Sequence, residues 1–273
     1  MNITKVRAVW FSPTGGTRAL AVRLARALAE ALGVPVSELD ITPPDARQGR
    51  LEFSPDELAV FASPTYAGRL PNKMLPFFQT GFCGRGTPAV LAVSFGNRDF
   101  QDSLSDLSQA LGGNGFVPVG AAAMVCRHVF SDKLAPGRPD AGDLAELDRF
   151  AAGLAERIRR WEAPVPVTVP GNDPPGPYYT PRGVDGQPVN FLKAKPKTRE
   201  SCDRCGRCAA ACPMGSIDRL DPVQVPGVCV KCQACVKSCP QGAKYFDDPG
   251  FLSHVAMLEK NYTAAKKNVF TLP

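Results

Sequence analysis

With 273 residues and 44% hydrophobic content, the chain can bury full-sized cores and is long enough for two domains. Its formal charge of +6 collects in residues 164–199 and 249–273, while 1–163 and 200–248 are nearly neutral by count, which argues against a nucleic-acid-binding face. No apolar run reaches the length of a membrane-spanning helix, and the start MNITKVRAVWFSPTGG has no signal-peptide apolar region, so the expectation is a soluble, cytoplasmic protein without a membrane span.

From residue 5 to 162, short apolar runs alternate with helical periodicities, the pattern of a parallel sheet covered by helices on both faces. Val6 to Phe11 reads as a buried strand. Thr17 to Leu32 follows as a helix, with Leu20, Leu24, Ala27, Leu28 and Ala31 on one face and Gly33 as its stop. Central strands are predicted at Leu58–Ala62, Ala89–Phe95 and Phe116–Val125, and helices at Asn72–Phe78, Gln101–Leu111 and about Asp143–Trp161. Five strands with helices between them predict an α/β, doubly wound parallel sheet in the order 2-1-3-4-5.

The turn after the first strand is Ser12-Pro13-Thr14-Gly15-Gly16-Thr17. A small, hydroxyl-rich loop opening a helix offers free backbone N–H groups at a positive dipole end, a phosphate site that needs no cation. The missing lysine and the spacing exclude a Walker A loop. Residues Ser12, Thr14, Gly15, Gly16 and Thr17 resemble the flavodoxin FMN-phosphate signature (T/S)-x-T-G-x-T. That resemblance implies a flavodoxin-like FMN domain over 1–163, with ring-binding loops at the carboxyl ends of strands three and four. The first would be Ser63, Pro64, Thr65, Tyr66, Ala67 and Gly68, running on to Arg69, with Tyr66 against the isoalloxazine. The second would be Ser94, Phe95, Gly96, Asn97, Arg98, Asp99 and Phe100, at the pyrimidine edge. The competing reading of each loop is a plain strand-to-helix connection. Flavodoxins surround their flavin with acidic residues, whereas Arg69 and Arg98 fall in these loops and Arg18 adjoins the phosphate loop. Cations there would favour the reduced, negatively charged flavin, unless they point to solvent.

Residues 164–198 are rich in proline, from Pro164 and Pro166 to Pro188 and Pro196, and suit a semi-rigid extended linker. Tyr178, Tyr179 and Phe191 argue that it packs along the amino-terminal domain. Lys193, Lys195, Lys197 and Arg199 form a basic run that could face solvent or an acidic redox partner.

Two copies of C-x2-C-x2-C-x3-C-P then follow, CDRCGRCAAACP at 202–213 and CVKCQACVKSCP at 229–240, offset by 27 residues throughout. Cysteines three apart on a tightly turning loop can present sulfur to corners of one cubane. Zinc knuckles pair differently across longer gaps, and disulfides need an oxidising compartment. The run resembles bacterial two-cluster ferredoxins over 199–247, which implies two 4Fe-4S clusters with exchanged fourth ligands. One would use Cys202, Cys205, Cys208 and Cys239, the other Cys229, Cys232, Cys235 and Cys212. After it, Phe251, Leu252, Val255, Leu258 and Tyr262 recur at helical spacing, predicting a helical tail over 248–273.

Together the two halves resemble fused flavodoxin–ferredoxin proteins. The resemblance implies an electron-transfer flavoprotein passing electrons between FMN and two clusters and on to external redox proteins. The alternatives are an FMN-dependent oxidoreductase fed through the clusters, and a flavin-free redox-sensing module. Cys83 and Cys126 read as inert buried thiols. His128 and His254 lie far apart, no acid–base pair is evident near the flavin loops, and no catalytic triad, H-E-x-x-H or dinucleotide-binding G-x-G-x-x-G appears. Donor, acceptor and oligomeric state, a homodimer included, are left open.

Overall fold

The computed structural model describes residues 1–273. In chain order the elements are β1 (Lys5–Trp10), α1 (Gly16–Leu32), β2 (Val36–Asp40), a 3-10 turn (Pro44–Arg47), β3 (Leu51–Glu52), β4 (Glu57–Pro64), α2 (Leu75–Thr80), β5 (Phe82–Cys83), β6 (Thr87–Phe95), α3 (Ser103–Gly112), β7 (Phe116–Val125) and α4 (Ala141–Arg160). The remainder comprises β8 (Lys197–Thr198), α5 (Arg207–Ala210), α6 (Ala234–Lys237), β9 (Lys244–Tyr245), α7 (Pro249–Asn261) and β10 (Val269–Thr271). No helix is long and apolar enough to cross a membrane.

Strands β2-β1-β4-β6-β7 lie side by side in parallel, the flavodoxin-like order 2-1-3-4-5. β4, β6 and β7 are buried almost without a break, as strands covered on both faces must be. On one face Leu20, Leu24 and Leu28 of α1 and Leu147, Leu154 and Ile158 of α4 complete one core. On the other, Phe78 of α2 and Leu104 and Leu107 of α3 join the phenylalanines 53, 61, 82 and 116 in a second. Asp140 and Asp143 close a reciprocal capping box on α4.

Boundaries differ from expectation where turn chemistry intervenes. The predicted helix Asn72–Phe78 begins only at Leu75, after a turn in which Pro71 O accepts from Met74 N and Leu75 N. Gln101 has φ +41° and cannot open α3, which starts at Ser103. The tail is a helix only in part: after α7 it returns as β10 and pairs antiparallel with β7, adding a sixth strand to the edge.

The cysteine-rich half is docked on the sheet domain. Arg47 donates to Ile41 O, Thr42 O and Pro213 O, 2.5 Å away across the junction, while Met214 packs on the phenylalanine-rich core. Charge-assisted bonds to carbonyls are worth about 1.5–3 kcal/mol each when a buried partner would be orphaned. Arg47→Ala is therefore expected to lower stability by about 2–3 kcal/mol in denaturant unfolding and to speed proteolytic cutting within 164–198.

Candidate functional site

A cavity of about 610 Å3 opens at the carboxyl ends of the strands, where doubly wound sheets bind ligands. One wall is the turn between β1 and α1. Ser12, Thr14, Gly16 and Thr17 line it. Gly15, with φ +87°, caps α1 from outside the lining. The amides of Thr14, Gly16 and Thr17 donate to no protein group, whereas Arg18 N is satisfied by Ser12 Oγ at 2.9 Å. Three free N–H groups at the start of a 17-residue helix suit a phosphate. Thr17 spends its hydroxyl on Ser94 Oγ at 2.7 Å.

The first expected ring loop is a tight hairpin in which Tyr66 and Arg69 exchange backbone hydrogen bonds around Ala67 (φ +51°) and Gly68 (φ +78°). Gly68 suits the left-handed backbone of this turn, and a Cβ there would lie 1.9 Å from Gln101 Oε1 and displace that side chain. Pro64, Thr65, Tyr66, Ala67 and Gly68 line the cavity. Thr65 Oγ1 is buried with no partner, an orphaned donor available to a bound molecule. Ser63 is a correction: it is a wholly buried residue of β4, bonded to Pro64 O.

From the second loop Ser94, Phe95, Gly96, Arg98 and Asp99 face the cavity, and two residues do not. Asn97 turns to the tail, donating to Tyr262 O and Ala264 O and accepting from Lys266 N. Phe100 packs on Phe95 at 5.4 Å. Of the three arginines, Arg69 is paired with Asp106 and bonded to Gly176 O, and Arg18 lies over the Trp10 ring. Of these three arginines Arg98 alone puts its cation on the cavity wall, which Lys73, Arg127 and Lys231 also line. It stacks 4.0 Å from the Tyr179 ring and donates to Gln101 at 2.8 Å, with no carboxylate partner.

The rest of the wall comes from residues that local sequence patterns did not single out for it. The linker supplies Tyr178, Tyr179, Phe191 and Leu192, and α7 supplies His254 and Leu258. The linker is strapped down: Tyr179 N donates to Ala67 O, Tyr178 Oη to Leu70 O, and Asp102 accepts from the amides of Asn172 and Gly176. Phe191 packs against Phe251 and His254 of α7 rather than against the sheet domain. His128 and His254, 126 residues apart, meet at this wall, and each is held neutral by burial first and by the nearby Arg98. His128 Nδ1 accepts from Phe130 N, so its proton is on Nε2; His254 Nδ1 donates to Arg182 O. Cys126 also lines the cavity, its thiol pushed up to about 12 by burial, inert as expected.

The same cavity is walled by Cys229, Val230, Lys231 and Cys232. Behind them, Cys212, Cys229, Cys232 and Cys235 surround a second, small void, the set expected for one cluster. Burial, and then the neighbouring cysteines, push the thiols of Cys232 and Cys235 up to about 12. Such a cage ionises only with a multivalent cationic centre inside it. No three His, Cys, Asp or Glu side chains converge on a single point. In the other set, Cys202 and Cys208 are close enough to interact. Asp203 bonds Cys205 N and Gln241, joining that loop to the Cys239 turn. The Cys239 thiol lies below its ordinary value because, against burial, backbone amides led by Ala243 donate to it. Cys205 is the one exposed cysteine of the ten.

The repeat is structural as well as sequential. Arg204 and Lys231 have φ of +57° and +56°, Gly206 and Gln233 +75° and +63°, and Gly215 and Gly242 +59° and +58°. The N–H groups of Ser216 and Ala243 donate to Cys212 and Cys239 sulfur at 3.3 and 3.2 Å. Of the basic run, Lys195 donates to Val225 O and Pro226 O, Lys197 pairs with Asp247, and Arg199 donates to Gly242 O and stacks on Tyr245. It therefore braces the module more than it faces a partner.

Residues 196–218 and 226–242 each match a family described as a 4Fe-4S binding domain. No curated protein matches the chain. Among solved structures, it is similar to a flavodoxin from Streptococcus pneumoniae TIGR4 (21% identity, 56% of this chain and 99% of that one, TM-score 0.40). It is also similar to oxidised Flavodoxin 2 from Bacillus cereus (18%, 56% and 99%, 0.41) and to rubredoxin oxygen:oxidoreductase from Desulfovibrio gigas (18%, 58% and 37%, 0.37).

His128 gives the site a pH signature. Its pKa falls from 6.5 to about 4 on folding, so between those values the unfolded chain binds more protons and stability drops as pH falls. The loss should reach on the order of 2–3 kcal/mol between pH 7 and pH 4, and His128→Asn should flatten this slope in urea unfolding at pH 7 and pH 5. The strand order of the sheet is flavodoxin-like, and two segments that match 4Fe-4S binding domains are joined to it.

Proposed function

We propose that this chain is a cytoplasmic electron relay that binds FMN in the large cavity and two 4Fe-4S clusters on its eight motif cysteines, and exchanges electrons with external redox proteins. The observation that carries this reading is the shared wall: Cys229 and Cys232 line the same cavity as the phosphate-type turn and Tyr66. The free amides of Thr14, Gly16 and Thr17 would hold the phosphate, and Thr65 Oγ1 would meet a polar atom of the ligand. Such a flavin takes two electrons and releases them singly, while each cluster takes one. The chain's own part is to fix positions and potentials. Tyr66 stays protonated, its hydroxyl pushed well up by burial and by the Cys232 and Cys229 sulfurs. Its neutral ring then lines the cavity together with the Cys229–Cys232 loop. Exposed Cys205 marks Cys202, Cys205, Cys208 and Cys239 as the set facing partners.

Anaerobic purification should yield stoichiometric flavin together with iron and sulfide for two clusters; clusters without flavin would turn the reading to a redox sensor. Arg98, a cation on the cavity wall with no carboxylate partner, should favour the reduced flavin. Arg98→Ala is expected to lower the flavin midpoint by about 30 mV, a tenfold change for a two-electron couple. An unchanged midpoint in a spectroelectrochemical titration would sink that role.

One observation favours a second reading, reduction of a small substrate at the flavin: His128, His254, Tyr179 and Arg98 gather at one end of the cavity and could bind it and move protons. In that case His254→Asn would abolish turnover of small acceptors while flavin and iron contents stay whole. A pure carrier would show no such turnover in the wild-type chain.

A further inference from the structure

Lys244 is the most deeply buried charged side chain in the protein, at 2% exposure. The other buried charges have evident partners or belong to the cavity already described: Glu57 meets Lys5 and Arg7, Asp102 accepts from the amides of Asn172 and Gly176, Asp106 meets Arg69, Asp143 meets Arg138, and Lys231 lines the cavity. The Lys244 ammonium touches only neutral oxygens, Thr198 Oγ1 at 2.6 Å and Pro222 O at 2.5 Å. An ammonium so far from water needs negative charge nearby.

The repeat locates that charge. Twenty-seven residues earlier stands Ile217, which packs in the small core formed with Cys208 and Cys235, one cysteine from each set. By the same internal two-fold, Lys244 takes the matching place on the other side of that pair. It opens β9, immediately after Ala243, whose amide donates to Cys239 sulfur. A position that is apolar in the first copy is cationic in the second.

We propose that Lys244 is a shared counter-ion of both clusters that holds their reduction potentials less negative than an apolar residue in its place would. This rests on the reading that the eight cysteines hold two clusters. Each cluster gains one negative charge on reduction, and a fixed buried cation stabilises the reduced form.

The test uses the full chain, purified anaerobically, as wild type, Lys244→Met, Lys244→Gln and Lys244→Arg. Iron and sulfide are counted, and the clusters are titrated by electron paramagnetic resonance. Both neutral variants should keep their iron and show at least a tenfold lower ratio of reduced to oxidised cluster at the wild-type midpoint, about 59 mV for a one-electron couple. The arginine variant should stay near wild type. Loss of iron from both neutral variants but not from the arginine variant would also support the counter-ion. Full iron with unmoved midpoints would overturn it, as would loss of iron from all three variants, which would assign Lys244 to packing. Wild-type protein without iron and sulfide would instead refute the two-cluster reading beneath it.

Discussion

Everything in this molecule depends on one loop having two faces. Residues Cys229–Cys232 hang two cysteines into the small cage and at the same time wall the large cavity. Electron transfer between fixed centres falls steeply with distance, so two sites that share a wall can exchange electrons without domain motion, whereas two sites on freely tethered domains cannot. The shared wall exists only while the cysteine-rich half stays docked, and the rest of the architecture serves that docking.

The proline-rich segment is the main device. A free connector of its length would sample many separations. Here its backbone and tyrosines bond to the Tyr66–Arg69 hairpin and to the start of α3 through Ala67, Leu70 and Asp102, so the ordering cost is met once, on folding. Arg47 fixes the far side by reaching Pro213, the residue that follows Cys212. The tail closes the remaining side: Asn97 and Asn268 hold the stretch between α7 and β10, and β10 then joins the sheet. A helix of the tail thereby becomes a wall of the cavity, carrying His254 into it.

Features set by local chemistry were legible in the sequence. Strand order followed from alternating apolar runs and helical stripes, because buried parallel strands have no polar face to confuse the pattern. The three closely spaced cysteines of each run followed from spacing, since ligands three apart cannot reach far, while the exchanged fourth ligands were what the resemblance to two-cluster ferredoxins implied. The turn at Ser12–Thr17 followed from its small residues. What was not legible was set by long-range contact. Asn97 sits in the expected ring loop by position, yet its side chain serves chain segments more than 160 residues away. His128 and His254 have no local motif, and only the fold brings them together. β10 was hidden because three half-buried residues at an edge make too short a strand signal.

The arginines show why placement must precede electrostatic argument. Sequence put three cations beside a supposed flavin, but the field of Arg69 is cancelled by Asp106, whose Oδ2 also accepts from Leu70 N, and Arg18 stands over an indole. Arg98 and Lys231 remain, and neither is paired with a carboxylate: Arg98 stacks on Tyr179, and Lys231 donates to Leu192 O and Cys229 O. Lys244 repeats the same condition, donating only to Thr198 Oγ1 and Pro222 O. Buried cations left without carboxylates are costly in an empty protein and favourable beside centres that become more negative on reduction. Their distribution, one on the cavity wall, one in the shared loop and one between the cysteine sets, follows the line along which negative charge would move.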